Sequence, residues 1–135
     1  MAENDPLTER ILGCAYKVSN GLGPGFLEKV YENALALELE RAGLAFERQK
    51  PLEVWYEGIR VGLFLADLVV EGRVLVELKA VRALDDNHLA QGLNYLRATA
   101  LPICLLLNFG VPKLEIRRLS PSPTWSRPHA EGTPS

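Results

Sequence analysis

The sequence predicts one α+β domain in the order ααβββαββ, a mixed β-sheet flanked by helices. Three observations carry this. Two stretches with helical spacing of apolar residues come first, separated by a run of glycine and proline. Three β-favouring runs follow, parted by two Glu-Gly turns. A capped helix then precedes one wholly apolar strand and one more polar strand. A chain of 135 residues holds one domain and leaves little room for a second.

The first helix starts at Asp5-Pro6, an N-cap residue followed by proline at the first helical position. Ile11, Cys14, Ala15, Val18 and Leu22 recur on one face, and Asn20-Gly21 supplies a stop. Gly21, Gly23, Pro24 and Gly25 make a tight connection to a second helix, expected from about Phe26 to Ala42 with Gly43 at its C′ position. Strand chemistry then takes over. Leu52 to Tyr56, Ile59 to Val70 and Arg73 to Val81 read as a meander with turns at Glu57-Gly58 and Glu71-Gly72. Asp85-Asp86 caps a third helix through about Ala98, with Leu89, Leu93 and Leu96 as its buried stripe. Leu101 to Phe109 is apolar enough to be buried on both faces, and Lys113 to Leu119 closes the fold. From Ser120 onward proline and serine dominate and no aliphatic side chain exceeds alanine, so residues 120–135 are expected to form a disordered tail, with Trp125 either a docking anchor or a solvated residue.

Composition excludes several classes. Fifteen Lys+Arg against seventeen Asp+Glu give a net charge of -2, which disfavours holding nucleic acid by bulk positive charge alone. The longest uncharged stretch, Ala98 to Pro112, contains two prolines and falls short of the roughly 20 apolar residues that span a bilayer. The first residues lack the basic and apolar regions of a secretory signal. Cys14 and Cys104 are far apart in apolar surroundings, which suits free thiols in a reducing cytoplasm, and with only two histidines a structural zinc site is disfavoured.

Two acidic residues stand where hydrophobes are expected. Asp67 interrupts Phe64-Leu-Ala-Asp-Leu-Val-Val70, and Glu77 interrupts Val74-Leu-Val-Glu-Leu-Lys79. A carboxylate in so apolar a run costs several kcal/mol unless something pairs with it or binds it. Lys79 follows Glu77 by two positions and shares its sheet face. Converging on one face, the three would make a divalent-cation site with an ammonium beside it. An exposed ion triplet is the alternative. The site makes a structural demand. With Glu71-Gly72 as a two-residue turn, Asp67 falls opposite Val76 and Glu77 faces away, so an odd-length loop or a bulge at Gly72 is required. On the third helix His88, Gln91 and Tyr95 form a polar stripe beside the leucines, and on the second Glu28, Tyr31 and Glu32 share a face.

Gly25-Phe-Leu-Glu28-Lys-Val-Tyr31 resembles the motif that names the GxxExxY family, a branch of the PD-(D/E)XK nuclease superfamily. The resemblance continues through Asp67, Glu77-Leu-Lys79, His88…Gln91-x-x-x-Tyr95 and Leu105-Leu-Leu-Asn-Phe-Gly110, covering roughly residues 7–119. It implies a restriction-endonuclease-like core and metal-dependent phosphodiester hydrolysis, with DNA the expected substrate. Asp67 matches the metal-binding aspartate, although Ala66 stands where the name-giving proline would be. Glu77 matches the second metal ligand, Glu28 the helical glutamate that sometimes joins the metal shell, and Lys79 the lysine that positions water. Gln91 and Tyr95 resemble the Q-x-x-x-Y element of RecB-type nucleases. Mg²⁺ or Mn²⁺ is the implied cofactor. Tyr31, His88, Arg82 and Arg97 are the expected substrate contacts. A homodimer could present two sites to two strands, as junction-cleaving relatives do. The other reading is a non-catalytic interaction module on the same fold, which a replaced Asp67, Glu77 or Lys79 would have favoured; all three are in place.

Overall fold

A computed structural model describes residues 5–121. The elements run α1 (Pro6–Leu22), α2 (Glu28–Arg41), β1 (Phe46–Tyr56), β2 (Ile59–Val70), β3 (Val74–Lys79), α3 (Asp86–Ala98), β4 (Ile103–Asn108) and β5 (Glu115–Leu119). The expected order ααβββαββ is the observed one. The expected tail from residue 120 lies, beyond Pro121, outside the described residues.

Local chemistry sets most boundaries. Asp5 caps α1, its carboxylate accepting from the Leu7 amide at 2.9 Å. The helix runs past Asn20-Gly21 and stops at Gly23, whose φ of 70° lets its own N–H return to the Ser19 carbonyl. Helix α2 begins two residues later than expected and ends before Gly43, in the left-handed region. Glu57 and Gly58 both take positive φ, the two-residue hairpin turn whose twist matches its strands. Strand β1 is six residues longer at its N-terminal end than the aromatic run suggested, because Phe46–Pro51 pairs with Leu65–Val70.

The five strands lie in the order β1-β2-β3-β4-β5, antiparallel except for β3 and β4, which are parallel and joined through α3. Alternation assigns the two faces. Val74, Val76 and Leu78 of β3, with Ile103, Leu105 and Leu107 of β4, pack on Ile11, Leu35 and Leu39 from α1 and α2. Leu75, Cys104 and Leu106 face the other way, onto Leu84 and on Leu96 of α3. Strand β2 breaks this alternation. Leu68 and Val70 join the α1/α2 core, whereas Phe64 and Ala66, of the same parity, pack on the α3 side. The change of face falls at Asp67. Across the ladder it falls at Gln49, which has φ 48° and drops out of the register between Arg48↔Leu68 and Lys50↔Ala66.

Candidate active site

The loop between β2 and β3 has three residues, Glu71 to Arg73, closed by the Val70↔Val74 pair. This meets the odd-length requirement, and Asp67 comes opposite Glu77. Glu71 holds the loop in place by exchanging two bonds with Ala45, one from its backbone amide at 2.8 Å and one to its carboxylate at 2.6 Å.

The β2–β3 ladder ends at Leu68↔Val76. At the next position side chains take the place of backbone pairing. The Asp67 amide donates to Glu77 Oε2 at 3.0 Å, and the Leu78 amide donates to Asp67 Oδ2 at 2.9 Å. Strand β2 then leaves β3 and continues only with β1, so the carboxylates stand where the two strands part.

Both acids are raised above their ordinary range. For Glu77, 7 % exposed, burial is the main cause and the Asp67 charge adds to it; the bond from the Asp67 amide and the Lys79 charge pull the other way, and the carboxyl still reaches about 8. For Asp67 burial again leads, opposed by the bonds from Leu78 and Gln49. Two desolvated carboxyls side by side, with one lysine near, form a site that gains from a cation between them.

The remaining expected residues differ in how near they come to the two acids. Lys79 ends β3 on the same face as Glu77, paired in register with Asn108. Tyr95 lies over the site from α3. Its ring stacks on Phe64 at 3.8 Å between centroids, and its hydroxyl is raised by burial first and then by the Glu77 and Asp67 charges. Glu28 is exposed at the start of α2, close enough for its charge to be felt at Glu77. Gln91, Arg82 and Arg97 are exposed along α3 and the segment before it. His88 serves the helix itself, since its ring accepts from the Asp85 amide at 3.0 Å while Asp85 caps the His88 amide.

Tyr31 is a correction. It is 0 % exposed, stacked on Phe109 at 4.9 Å, and its hydroxyl donates to the Gly23 carbonyl and accepts from the Phe26 amide. A ring so enclosed fixes the loop before α2 and has no exposed surface to offer a substrate.

Two clusters escaped the sequence reading. Asn108, fully buried, accepts from the Val81 and Gly110 amides and donates to the Val81 carbonyl and Glu115 Oε1, all at 3.0 Å. Glu115, held below the usual carboxylate range first by Asn108, also accepts from the Leu84 amide. This clamp pins the chain that follows Lys79. An asparagine inside an apolar run, within the Leu105–Gly110 stretch of the resemblance, was its signal. The second cluster is Gln49 with Glu32, a carboxylate only 4 % exposed that Lys29 and Arg48 bind. Gln49 Nε2 lies 2.9 Å from Glu32 Oε1 and 3.4 Å from Asp67 Oδ1.

Among the described residues, no group of three or more His, Cys, Asp or Glu side chains is placed to hold a metal ion. Hard oxygen donors from Asp67 and Glu77, both raised chiefly by burial, do fit a Mg²⁺-like ion that keeps several of its waters. No helix among the described residues is long and apolar enough to cross a membrane.

A mixed sheet with helices on both faces, carrying Asp and Glu-x-Lys on strands that part, defines a nuclease-type fold. A sequence model of the PD-(D/E)XK nuclease superfamily matches residues 5–119, and the chain belongs to that superfamily. No curated protein and no solved structure matches it. Membership points to a nucleic-acid substrate and a nuclease-type function.

Proposed function

We propose that the protein is a divalent-metal-dependent nuclease of the GxxExxY branch that hydrolyses phosphodiester bonds in DNA. One observation carries this reading: Asp67 and Glu77 meet where β2 and β3 part, with Lys79 on the same face. Asp67 and Glu77 would hold Mg²⁺ or Mn²⁺, with Glu28 as an outer carboxylate. When bound, the cation supplies Lewis acidity and lowers the pKa of a coordinated water.

The chain's own residues do the rest. Lys79 places an ammonium beside the carboxylates, where it offsets negative charge building on a phosphoryl oxygen. Tyr95, braced by Phe64, sets its hydroxyl within the field of both acids, and Gln91 lies one turn before it on α3. Arg82 and Arg97, with His88 between them in sequence, supply contacts to the phosphate backbone. Two buried free thiols, Cys14 and Cys104, suit a reducing cytoplasm.

The active form is a homodimer. Beyond Asp67, among the described residues, the β1–β2 hairpin has no further strand beside it. Tyr56, Ile59, Val61, Leu63 and Leu65 remain 53–64 % exposed along it. Together they present on the order of 500 Å² of apolar surface. Two such faces supply ~1,000 Å², the apolar share of a standard dimer interface. Charge does not oppose this, since Arg60 is paired with Glu53 at 3.2 Å within the hairpin.

The test is cleavage of single-stranded, duplex and branched DNA, and of RNA, with Mg²⁺ or Mn²⁺, against EDTA and against Lys79→Ala and Asp67→Ala proteins of matched purity. Metal-dependent cutting reduced at least about 100-fold in both variants is expected. Wild-type cutting by either variant shows that the site is wrongly assigned. No cutting and no metal binding would move the reading to an interaction module.

A further inference from the structure

Among the described non-glycine residues three have positive φ, and Gln49 alone lies inside a strand; Glu57 and Glu71 are in hairpin loops. An L-residue held there costs conformational energy, which persists only where the surroundings over-determine it. The surroundings here are two carboxylates. The side-chain amide of a glutamine carries two hydrogens on one nitrogen. One serves Glu32 Oε1 at 2.9 Å, and the other is directed to Asp67 Oδ1 at the longer distance of 3.4 Å. Glu32 is itself fixed, with Arg48 Nε on Oε2 at 3.0 Å and Lys29 Nζ on Oε1 at 3.1 Å. Asp67 has its other oxygen engaged by the Leu78 amide at 2.9 Å.

We infer that Gln49 is a positioning residue for Asp67, anchored on Glu32, which orients Oδ1 toward the cation. This rests on the nuclease reading above. The short bond to Glu32 fixes where the amide sits. The long one to Asp67 sets the direction of the carboxylate while leaving Oδ1 able to ligate. Gln49 also stands between two like charges, Glu32 on α2 and Asp67 on β2. The left-handed backbone of Gln49 brings the amide between the two acids, and the same break in β1 accompanies the change of face at Asp67. Helix α2 is thereby tied to the site through Glu32, a residue outside the G-x-x-E-x-x-Y motif.

The experiment compares Gln49→Met, which keeps shape and backbone strain but has no donor, with Gln49→Gly, which removes the donor and relieves the strain. Each full-length protein is titrated with Mn²⁺ by calorimetry and melted in EDTA, beside wild type and Asp67→Asn. Both Gln49 variants are expected to bind Mn²⁺ about 10-fold or more weakly. Gln49→Gly is expected to melt no lower than wild type, because glycine adopts this backbone freely. If wild type binds Mn²⁺, Asp67→Asn does not, and both Gln49 variants bind as wild type, the positioning role is wrong and the nuclease reading stands. If Gln49→Gly loses Mn²⁺ binding only by unfolding while folded Gln49→Met binds normally, the role is structural and the inference fails. If wild type itself neither binds Mn²⁺ nor cleaves, both fall together.

Discussion

Asp67 and Glu77 sit opposite each other on neighbouring strands, yet the Asp67 backbone amide donates to the Glu77 carboxylate, at 3.0 Å, in place of a strand carbonyl. With the Leu78 amide on Asp67 Oδ2, the acids occupy the last rung of the β2–β3 ladder as side chains. The site is thus built into the end of the sheet pairing. Its cost falls on the metal-free protein, which must hold Glu77 buried and Asp67 half-buried.

That cost gives a pH dependence. Glu77 rises from 4.5 to about 8, and Asp67 is raised as well. The folded state therefore binds these protons more tightly than the unfolded state. Their contribution is whole below about pH 4.5 and is lost as pH rises through about 8. The metal-free protein should melt at progressively lower temperature across that window, and Glu77→Gln should flatten the profile, melting about 5 °C above wild type at pH 8. Thermal melts in EDTA from about pH 5 to 9 measure this. A wild-type midpoint that climbs over the range contradicts the assignment of Glu77.

A second expectation concerns the clamp behind Lys79. A Cβ on Gly110 would lie 2.5 Å from both the nitrogen and the oxygen of Val81, and backbone cannot step aside. Gly110→Ala should cost about 2–3 kcal/mol and should disturb the segment joining Lys79 to α3. At Gly92 the nearest atom is the Leu119 Cδ1 methyl at 2.6 Å, the end of a flexible side chain, so Gly92→Ala should cost less, about 1 kcal/mol. Urea unfolding of the two variants ranks them, and the reverse order would show that the clamp is soft.

Much of this fold was legible because its boundaries are chemical. Asp5-Pro6, Gly43, Glu57-Gly58 and Asp85 act through caps and turns that need no tertiary context. The first half of β1 was not legible. Glu47, Arg48, Gln49 and Lys50 lie on an edge strand, half of them solvated, and show no alternation to read. Asp67 and Glu77 were visible as acids in apolar runs, but their meeting depended on whether the loop held two residues or three, and a tight turn of either length suits Glu-Gly. Tyr31 illustrates the opposite limit. Its motif position marked it, yet helical spacing cannot tell a tyrosine lining a site from one filling the core beneath it. Asn108 lies in the Leu105–Gly110 stretch that carries the family resemblance, but its four hydrogen bonds come from three separate stretches of chain.

The apolar hairpin gives the last expectation. Leu63 and Leu65 stand opposite Glu53 and Pro51 of β1, 56 % and 53 % exposed, on a two-stranded arm of a kind that is marginal without support. Its other face has that support, since Phe64 packs on Tyr95. Addition of a strand at the β1 edge is disfavoured by Pro51, which lacks an N–H, and by the break at Gln49. Face-to-face packing of two copies is the arrangement left, and it would bury the stripe about a two-fold axis. Light scattering at tens of micromolar should give wild type the mass of two chains. Leu63→Glu and Leu65→Glu should each give one chain, folded, because neither leucine belongs to a core cluster. A monomeric wild type at that concentration, or variants that remain dimeric, would show that this face is not where two copies meet.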